Sequence, residues 1–318
     1  MKKKILAIQG SEISKINYKT DTSILLGLEA QKRKFDIYYY EPKDLSYNNG
    51  KILAKSSKIY ISNEYMYPIK KIKSTNLDLS KVKILLIRNE PPFNQQYINT
   101  TFILDRLSKN IKIINHPKSI REVPEKLFSL KFIKFMPPTL ISENLGEIKT
   151  FFEKHRNNIV IKPIEGYSGN DVRLIKKFDK KKITKYLKKY NHIIFQKYIA
   201  KISRGDKRIF IINGKVMGAI SRIPRKGSIL SNMSKGAYAK EIDINSKELL
   251  ISKKIATELK KNNIYFAGID FVNGKLIGDI NVTSPTGLKT YYDLTGINLA
   301  EYFFDNIWYL RRSSPQVR

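Results

Sequence analysis

An α/β fold whose N-terminal part is a doubly wound parallel sheet is predicted by two features of the 318-residue sequence. Strand and helix patterns alternate to about residue 122, and from Pro124 the texture shifts toward hairpin-forming strands. With 42% hydrophobic and 11% aromatic residues, the chain can also bury a substantial core. Lys4 to Ile8 is a first strand, its apolar run shorter than the roughly 7–15 residues of a secretory signal. A helix around Ser23 to Lys34, capped by Asp21, leads to a strand at Asp36 to Tyr40. Lys83 to Arg88 is another apolar strand, followed by a helix near Tyr97 to Lys109 and a strand at Lys112 to Asn115. No G-x-G-x-x-G follows the first strand, so this layer is not expected to bind a dinucleotide.

Beyond Pro124, a helix carrying Glu125 to Phe128 ends before Pro137-Pro138, and Ile148 to His155 is helical. Strands at Asn158 to Lys162 and Val172 to Ile175 flank a loop containing Gly166 and Gly169. Further strands run over His192 to Tyr198, Lys207 to Ile212 and Lys215 to Arg222. A polar loop reaches about Tyr238, a helix spans Lys247 to Lys261, and a last helix lies near Leu299 to Trp308. Asn213-Gly214 and Asn273-Gly274 are two-residue hairpin turns.

Composition excludes several chemistries. There is no cysteine, hence no disulfide, thiolate nucleophile or zinc-thiolate site, and the three histidines are far apart in sequence. No stretch approaches the roughly 18 apolar residues of a membrane span, and a cytoplasmic protein is expected. The net charge of +32 suggests nucleic acid. Its lysines, however, are spread along the chain, and the longest runs are Lys2 to Lys4 and Lys180 to Lys182. Enrichment in Lys, Ile, Asn, Tyr and Phe is what an AT-rich genome encodes, so a nucleic-acid partner is not expected; a basic funnel for anionic substrates is a compatible reading.

The most informative residues lie around the second Asn-Gly turn. With Val272 paired to Lys275, alternation puts Asp270, Asp279 and Asn281 on one face. Two carboxylates and an amide oxygen are hard ligands, suited to magnesium or manganese bridging phosphates; the alternative is a solvated polar hairpin face. Lys162 stands at the base of the glycine loop, where backbone amides and a lysine can hold phosphates, although an ordinary hairpin looks the same. G-x-x-x-x-G-K-[ST] is absent, so this is no P-loop. Arg208 and Arg222 flank the Asn213-Gly214 hairpin and suit phosphoryl transfer or a carboxylate clamp, or else two surface ion pairs.

In this order the chain resembles the bacterial glutathione synthetase family of ATP-grasp ligases. The resemblance rests on Lys19 to Ser23, Leu28 to Gln31, Arg88-Asn89-Glu90-Pro91-Pro92-Phe93, Asn115 to Arg121, Glu125 to Phe128, Gly205 to Arg208, Ala219 to Pro224 and Asp279 to Thr286. It implies an N-terminal domain over 1–122, a central ATP-grasp subdomain over 123–200 and a C-terminal subdomain over 201–318. By similarity, Lys126, Lys162, Gly166 and Gly169 meet ATP phosphates, while Gln196, Lys197, Tyr198 and Ile199 pass the adenine. Asp206 would lie near the nucleotide, Arg208 and Arg222 at the reacting groups, and Asp270, Asp279 and Asn281 at Mg2+ or Mn2+. Asp21, Ser23, Arg88, Asn115, Asn232, Ser284 and Thr286 would face substrate. The implied reaction joins γ-glutamylcysteine and glycine through an acyl phosphate in a homo-oligomer such as a tetramer; the same chemistry on another acid or peptide is the alternative. Four departures stand out, the mildest being Glu90-Pro91-Pro92-Phe93-Asn94 in place of Asp-Pro-Pro-Phe-Asp. Asp279 replaces a Glu, and Tyr167-Ser168-Gly169-Asn170-Asp171 lacks a glycine pair. The family's Gly-Glu-x-Arg-Gly-Asn reads Gly227-Ser228-Ile229-Leu230-Ser231-Asn232.

Overall fold

The computed structural model describes residues 4–62 and 68–309, so Met1, Lys2 and Lys3 of the basic start lie outside it. Strands β1 (Lys4–Gly10), β2 (Phe35–Tyr40), β3 (Leu45–Asn48), β4 (Lys51–Ile61), β5 (Ile69–Asp78), β6 (Ile84–Arg88) and β7 (Lys112–Ile114) form the first sheet. Only its centre, β2-β1-β6-β7, is parallel. The predicted wholly parallel layer is corrected here, because β3, β4 and β5 add antiparallel at one edge. Lysines along β4 and on β5 obscured the apolar pattern of these strands, yet Asn49-Gly50 between β3 and β4 was a third hairpin signal. All three Asn-Gly pairs hold both residues at positive φ, the conformation of a primed turn.

Helix α1 (Thr22–Lys32) packs on one face of this sheet, with Asp21 as its cap, accepting from Ser23 N at 2.5 Å and Ile24 N at 3.2 Å. Helices α2 (Gln95–Leu104) and α3 (Pro117–Glu122) cover the other face, so the layer is doubly wound as expected. Helix α2 stops at Leu104, short of the predicted Lys109.

The second sheet comprises β8 (Thr139–Ser142), β9 (Ile159–Pro163), β10 (Arg173–Ile175) and β11 (Ile193–Lys197), in the order β10-β9-β11-β8. Its core, with Phe152, Ile161 and Phe195, is covered by α4 (Leu145–Lys154) and the lysine-rich α5 (Lys180–Tyr190). Helix α5 had no counterpart in the sequence reading, since it buries only Ile183 fully. The third sheet runs β14-β13-β12-β15-β16, from β12 (Asp206–Ile212), β13 (Lys215–Ile223), β14 (Tyr238–Glu241), β15 (Phe266–Val272) and β16 (Lys275–Asn281). Helix α6 (Ser246–Lys261) lies on one face of it. Beside α6 pack Val123, Phe128, Phe132 and Met136, so the start of the stretch assigned to the central subdomain belongs to the third sheet's core. The predicted helix over Glu125 to Phe128 is a turn leading into a 3-10 helix at Phe128–Phe135. On the opposite face, α7 (Leu288–Thr295) and α8 (Leu299–Asn306) join Phe210 and Phe303 to Leu6, Ile8 and Leu86 of the first sheet in one core. Among the described residues no helix is long and apolar enough to cross a membrane.

Candidate functional site

A cavity of about 800 Å³ opens where the three sheets face one another. Every site residue predicted from the sequence lines it except Asn115, and basic and acidic side chains contribute to its wall in nearly equal number. The +32 net charge is therefore carried mainly outside it.

The floor comes from the β15–β16 hairpin. Val272 pairs with Lys275 as predicted, but the regular continuation of that register, which would set Asp270 opposite Ile277, does not form. The register passes from Phe271↔Leu276 to Ile269↔Ile280, so Ile277, Gly278 and Asp279 stand against the single residue Asp270. Two extra residues keep the alternation in phase, and Asp279 and Asn281 stay on the face of Asp270. Gly278 sits at φ +87°, where an added Cβ would meet Met136 Cε at 2.8 Å. The bulge also takes Ile277 out of the ladder, and its carbonyl accepts from Lys162 Nζ at 2.6 Å. Lys162, 5% exposed, lies 3.6 Å from Asp279 Oδ2.

Lys126 reaches the same place from the turn after α3 and donates to Gly166 O and to Ile164 O. Burial holds its ammonium below the usual lysine range, with Asp279 and Glu125 opposing that effect. Two lysines thus stand on backbone carbonyls that a phosphate oxygen could replace as acceptor. Gln196 donates to Thr139 Oγ1 at 2.9 Å, and Lys197, Tyr198 and Ile199 continue the wall past the end of β11.

Behind the floor lie four buried charges. Arg208 grips Asp270 with both arms, Nε to Oδ1 at 2.8 Å and Nη2 to Oδ2 at 2.7 Å. Arg222 grips Asp206 in the same way and reaches Asp270 Oδ2 at 3.0 Å. The pairing follows from register, since Asp206 lies opposite Arg222 and Arg208 opposite Asp270. Burial works to raise the Asp270 carboxyl, but the two arginines outweigh it and hold it at about 2. At Asp206 burial prevails and pushes the carboxyl up against the pull of Arg222.

This arrangement limits what the oxygen trio can offer a cation. Asp270 Oδ2 already accepts from Arg208, Arg222 and Asn281 Nδ2, whereas Oδ1 accepts from Arg208 alone. Asn281 also spends Nδ2 on Gly268 O, so its amide oxygen is the atom left for a ligand. Asp270 Oδ1, an Asp279 oxygen and Asn281 Oδ1 form a hard, all-oxygen donor set that fits magnesium or manganese. Among the described residues no cluster of three His, Cys, Asp or Glu could hold a metal by itself, so such an ion would need oxygens from a ligand as well.

At the far end Arg88, 6% exposed, donates through Nε to Ser23 Oγ at 3.2 Å, while its Nη1 has no hydrogen-bond partner. Ser284 Oγ donates to Arg88 O, and Arg208 Nη1 donates to Thr286 Oγ1 at 3.3 Å. Asp21 is engaged as the α1 cap, and Asn232 reaches the glycine loop from across the cavity. Two contributors lie in segments noted in the sequence but were given no place in the site there. Glu125 Oε1 accepts from Val282 N, Thr283 N and Thr283 Oγ1, fixing the segment after β16, and Ser231 donates to Asp206.

Asn115 has a different place from the one predicted. It is a buried staple, donating to Phe266 O and Val282 O and accepting from Tyr265 N and Phe266 N, all between 2.6 and 2.9 Å. Removing it would strand several buried peptide groups, so Asn115→Ala is expected to cost about 3 kcal/mol of stability. Urea denaturation would show this as a lower midpoint, and an unchanged midpoint would contradict it.

Known proteins match this chain along most of its length. A family model for the prokaryotic glutathione synthetase N-terminal domain matches residues 5–121, and one for the ATP-grasp domain of the same family matches residues 125–296. The glutathione synthetase of Buchnera aphidicola subsp. Baizongia pistaciae is 37% identical over 309 residues, covering 95% of each chain. That of Bradyrhizobium diazoefficiens is 34% identical over 310 residues, covering 95% of this chain and 97% of its own. Among solved structures, D-cycloserine synthetase DcsG superposes with a TM-score of 0.67 at 12% identity, covering 95% of this chain and 99% of its own. The macrocyclase MdnC of Microcystis aeruginosa superposes at 0.61 and 15%, covering 96% and 99%. At such identities these two establish the ATP-grasp fold alone.

Proposed function

This chain belongs to the prokaryotic glutathione synthetase family, and we propose on that premise that its cavity joins γ-glutamylcysteine to glycine with the conversion of ATP to ADP and phosphate. It is an ATP-dependent ligase. The observation that best supports the residue assignment is the convergence of Lys126 and Lys162 on the floor bearing Asp270, Asp279 and Asn281.

In this reading the γ-phosphoryl group of ATP passes to the glycyl-accepting carboxylate, giving an acyl phosphate and ADP. The amine of glycine then attacks the acyl carbon, the C–O bond to phosphate breaks, and the amine nitrogen releases a proton. Such a sequence asks the protein for positioning and charge stabilisation more than for a nucleophile. Lys126 and Lys162 exchange their carbonyl partners for phosphate oxygens. The backbone of the Gly166–Gly169 loop closes over the phosphates, and Gln196 to Ile199 border the adenine. Arg208, fixed by Asp270, faces the transferring group, and Arg222, fixed by Asp206, braces the same carboxylate. The unpartnered Nη1 of Arg88 meets a substrate carboxylate, with Ser23 and Ser284 beside it and Asn232 and Thr286 elsewhere on the wall of the same cavity. A divalent cation held by Asp270, Asp279 and Asn281 would neutralise phosphate charge. Assembly as a homo-oligomer and a cytoplasmic location belong to the same proposal.

Phosphate release measured with each of γ-glutamylcysteine, glycine and ATP omitted in turn tests this reading. Release is expected only with all three present, together with one equivalent of glutathione. Turnover with a different acid–amine pair and none with this one would overturn it.

A further inference from the structure

The loop between β13 and β14 carries residues Ile229 to Ser234 into the cavity wall. It is anchored on two flanks. On one, Leu230 and Asn232 close on the glycine loop: a Cβ placed on Gly169 would lie 2.6 Å from Asn232 Oδ1 and 3.2 Å from Leu230 Cδ2. On the other, Ser231, 6% exposed, donates its hydroxyl to Asp206 Oδ2 at 2.5 Å. From there the contacts are continuous: Asp206 binds Arg222, Arg222 binds Asp270, and Asp270 binds Arg208. Leu230 occupies the position where the resembling pattern has arginine and lies against the glycine loop, and Ser231 replaces a glycine that could make no such bond.

We propose that Ser231 is a positioning residue that locks the 224–237 loop shut and, through Asp206 and Arg222, sets Asp270 and Arg208 for phosphoryl transfer. A buried hydroxyl bonded to a carboxylate is among the stronger side-chain hydrogen bonds, so its loss should release the loop measurably. The kinetic consequence rests on the ligase reading above; the anchoring of the loop does not.

Two measurements on full-length protein test this. Arg225, Lys226 and Lys235 are exposed within the loop and are natural trypsin sites. With ADP bound, Ser231→Ala is expected to be cleaved there about tenfold faster than wild type, and Ser231→Thr at close to the wild-type rate. In steady state, Ser231→Ala should lose about tenfold in kcat with ADP affinity changed less than twofold, and Ser231→Thr should recover most of it. Wild-type tryptic rates and wild-type kcat in Ser231→Ala would overturn the proposal. So would a lowered melting temperature without either change, which would assign the hydroxyl to stability alone. Faster cleavage in a protein that turns over some other acid would uphold the loop anchor while removing the glutathione reading.

Discussion

Asp270→Asn is expected to abolish ligase activity and to lower the melting temperature by roughly 10 °C. The carboxylate is 4% exposed and is the shared partner of two buried guanidinium groups. Asparagine keeps the shape but removes the charge and turns one acceptor into a donor facing Arg208 or Arg222. Breaking a buried ion pair from one side costs about 3–5 kcal/mol, because the remaining charge stays buried without compensation. In a chain of this size each kcal/mol moves the melting point by about 2–4 °C. The sign of the pH dependence follows as well. The folded carboxyl titrates at about 2, below its unfolded value, so its stabilisation is present above about pH 4 and lost as pH falls toward 2. The gap in stability between wild type and Asp270→Asn should therefore shrink over that interval in urea titrations. An inactive variant with wild-type stability would mean that the two arginines find another counter-charge. An active one would remove Asp270 from the site.

What the sequence disclosed and what it concealed differ in physical kind. Period-two alternation on either side of Asn273-Gly274 placed Asp270, Asp279 and Asn281 on one face correctly, since an even number of inserted residues leaves the face unchanged. The bulge itself was hidden, because nothing local requires it: Gly278 fits under Met136, and Ile277 turns its carbonyl to Lys162, 115 residues away in sequence. The Asp206–Arg222 pair was hidden for the same reason, as a product of strand register, while Arg222 taken alone looked like a candidate catalytic group. Asn115 was assigned to substrate from resemblance, yet its amide joins the first sheet to a strand about 150 residues further on. In the first sheet, β4 and β5 present a solvent face rich in lysine, and a high background of lysine weakens the contrast on which alternation depends. Helix α5 escaped for a related reason, with six lysines among eleven residues and little buried surface to betray its face.

Lys162→Ala should weaken ADP and ATP binding by roughly 10- to 100-fold, the equivalent of one strong charge-assisted hydrogen bond in a site shielded from water. Lys162 is the cation nearest both Asp279 and the bulge, and its ammonium donates to Ile277 O. Alanine leaves that carbonyl and Asp279 facing each other without a cation between them, which repels the phosphates in addition to losing an attraction. Asp279 is one methylene shorter than the glutamate of the resembling pattern, so it depends more on a neighbouring charge to hold it toward the floor. The loss should therefore deepen in magnesium-free buffer, where the variant has only Lys126 left to offset Asp279. Calorimetric titration with ADP, run with and without magnesium, reads both effects. Unchanged affinity in both would remove Lys162 from the nucleotide site. A loss confined to magnesium-free buffer would assign it to Asp279 alone.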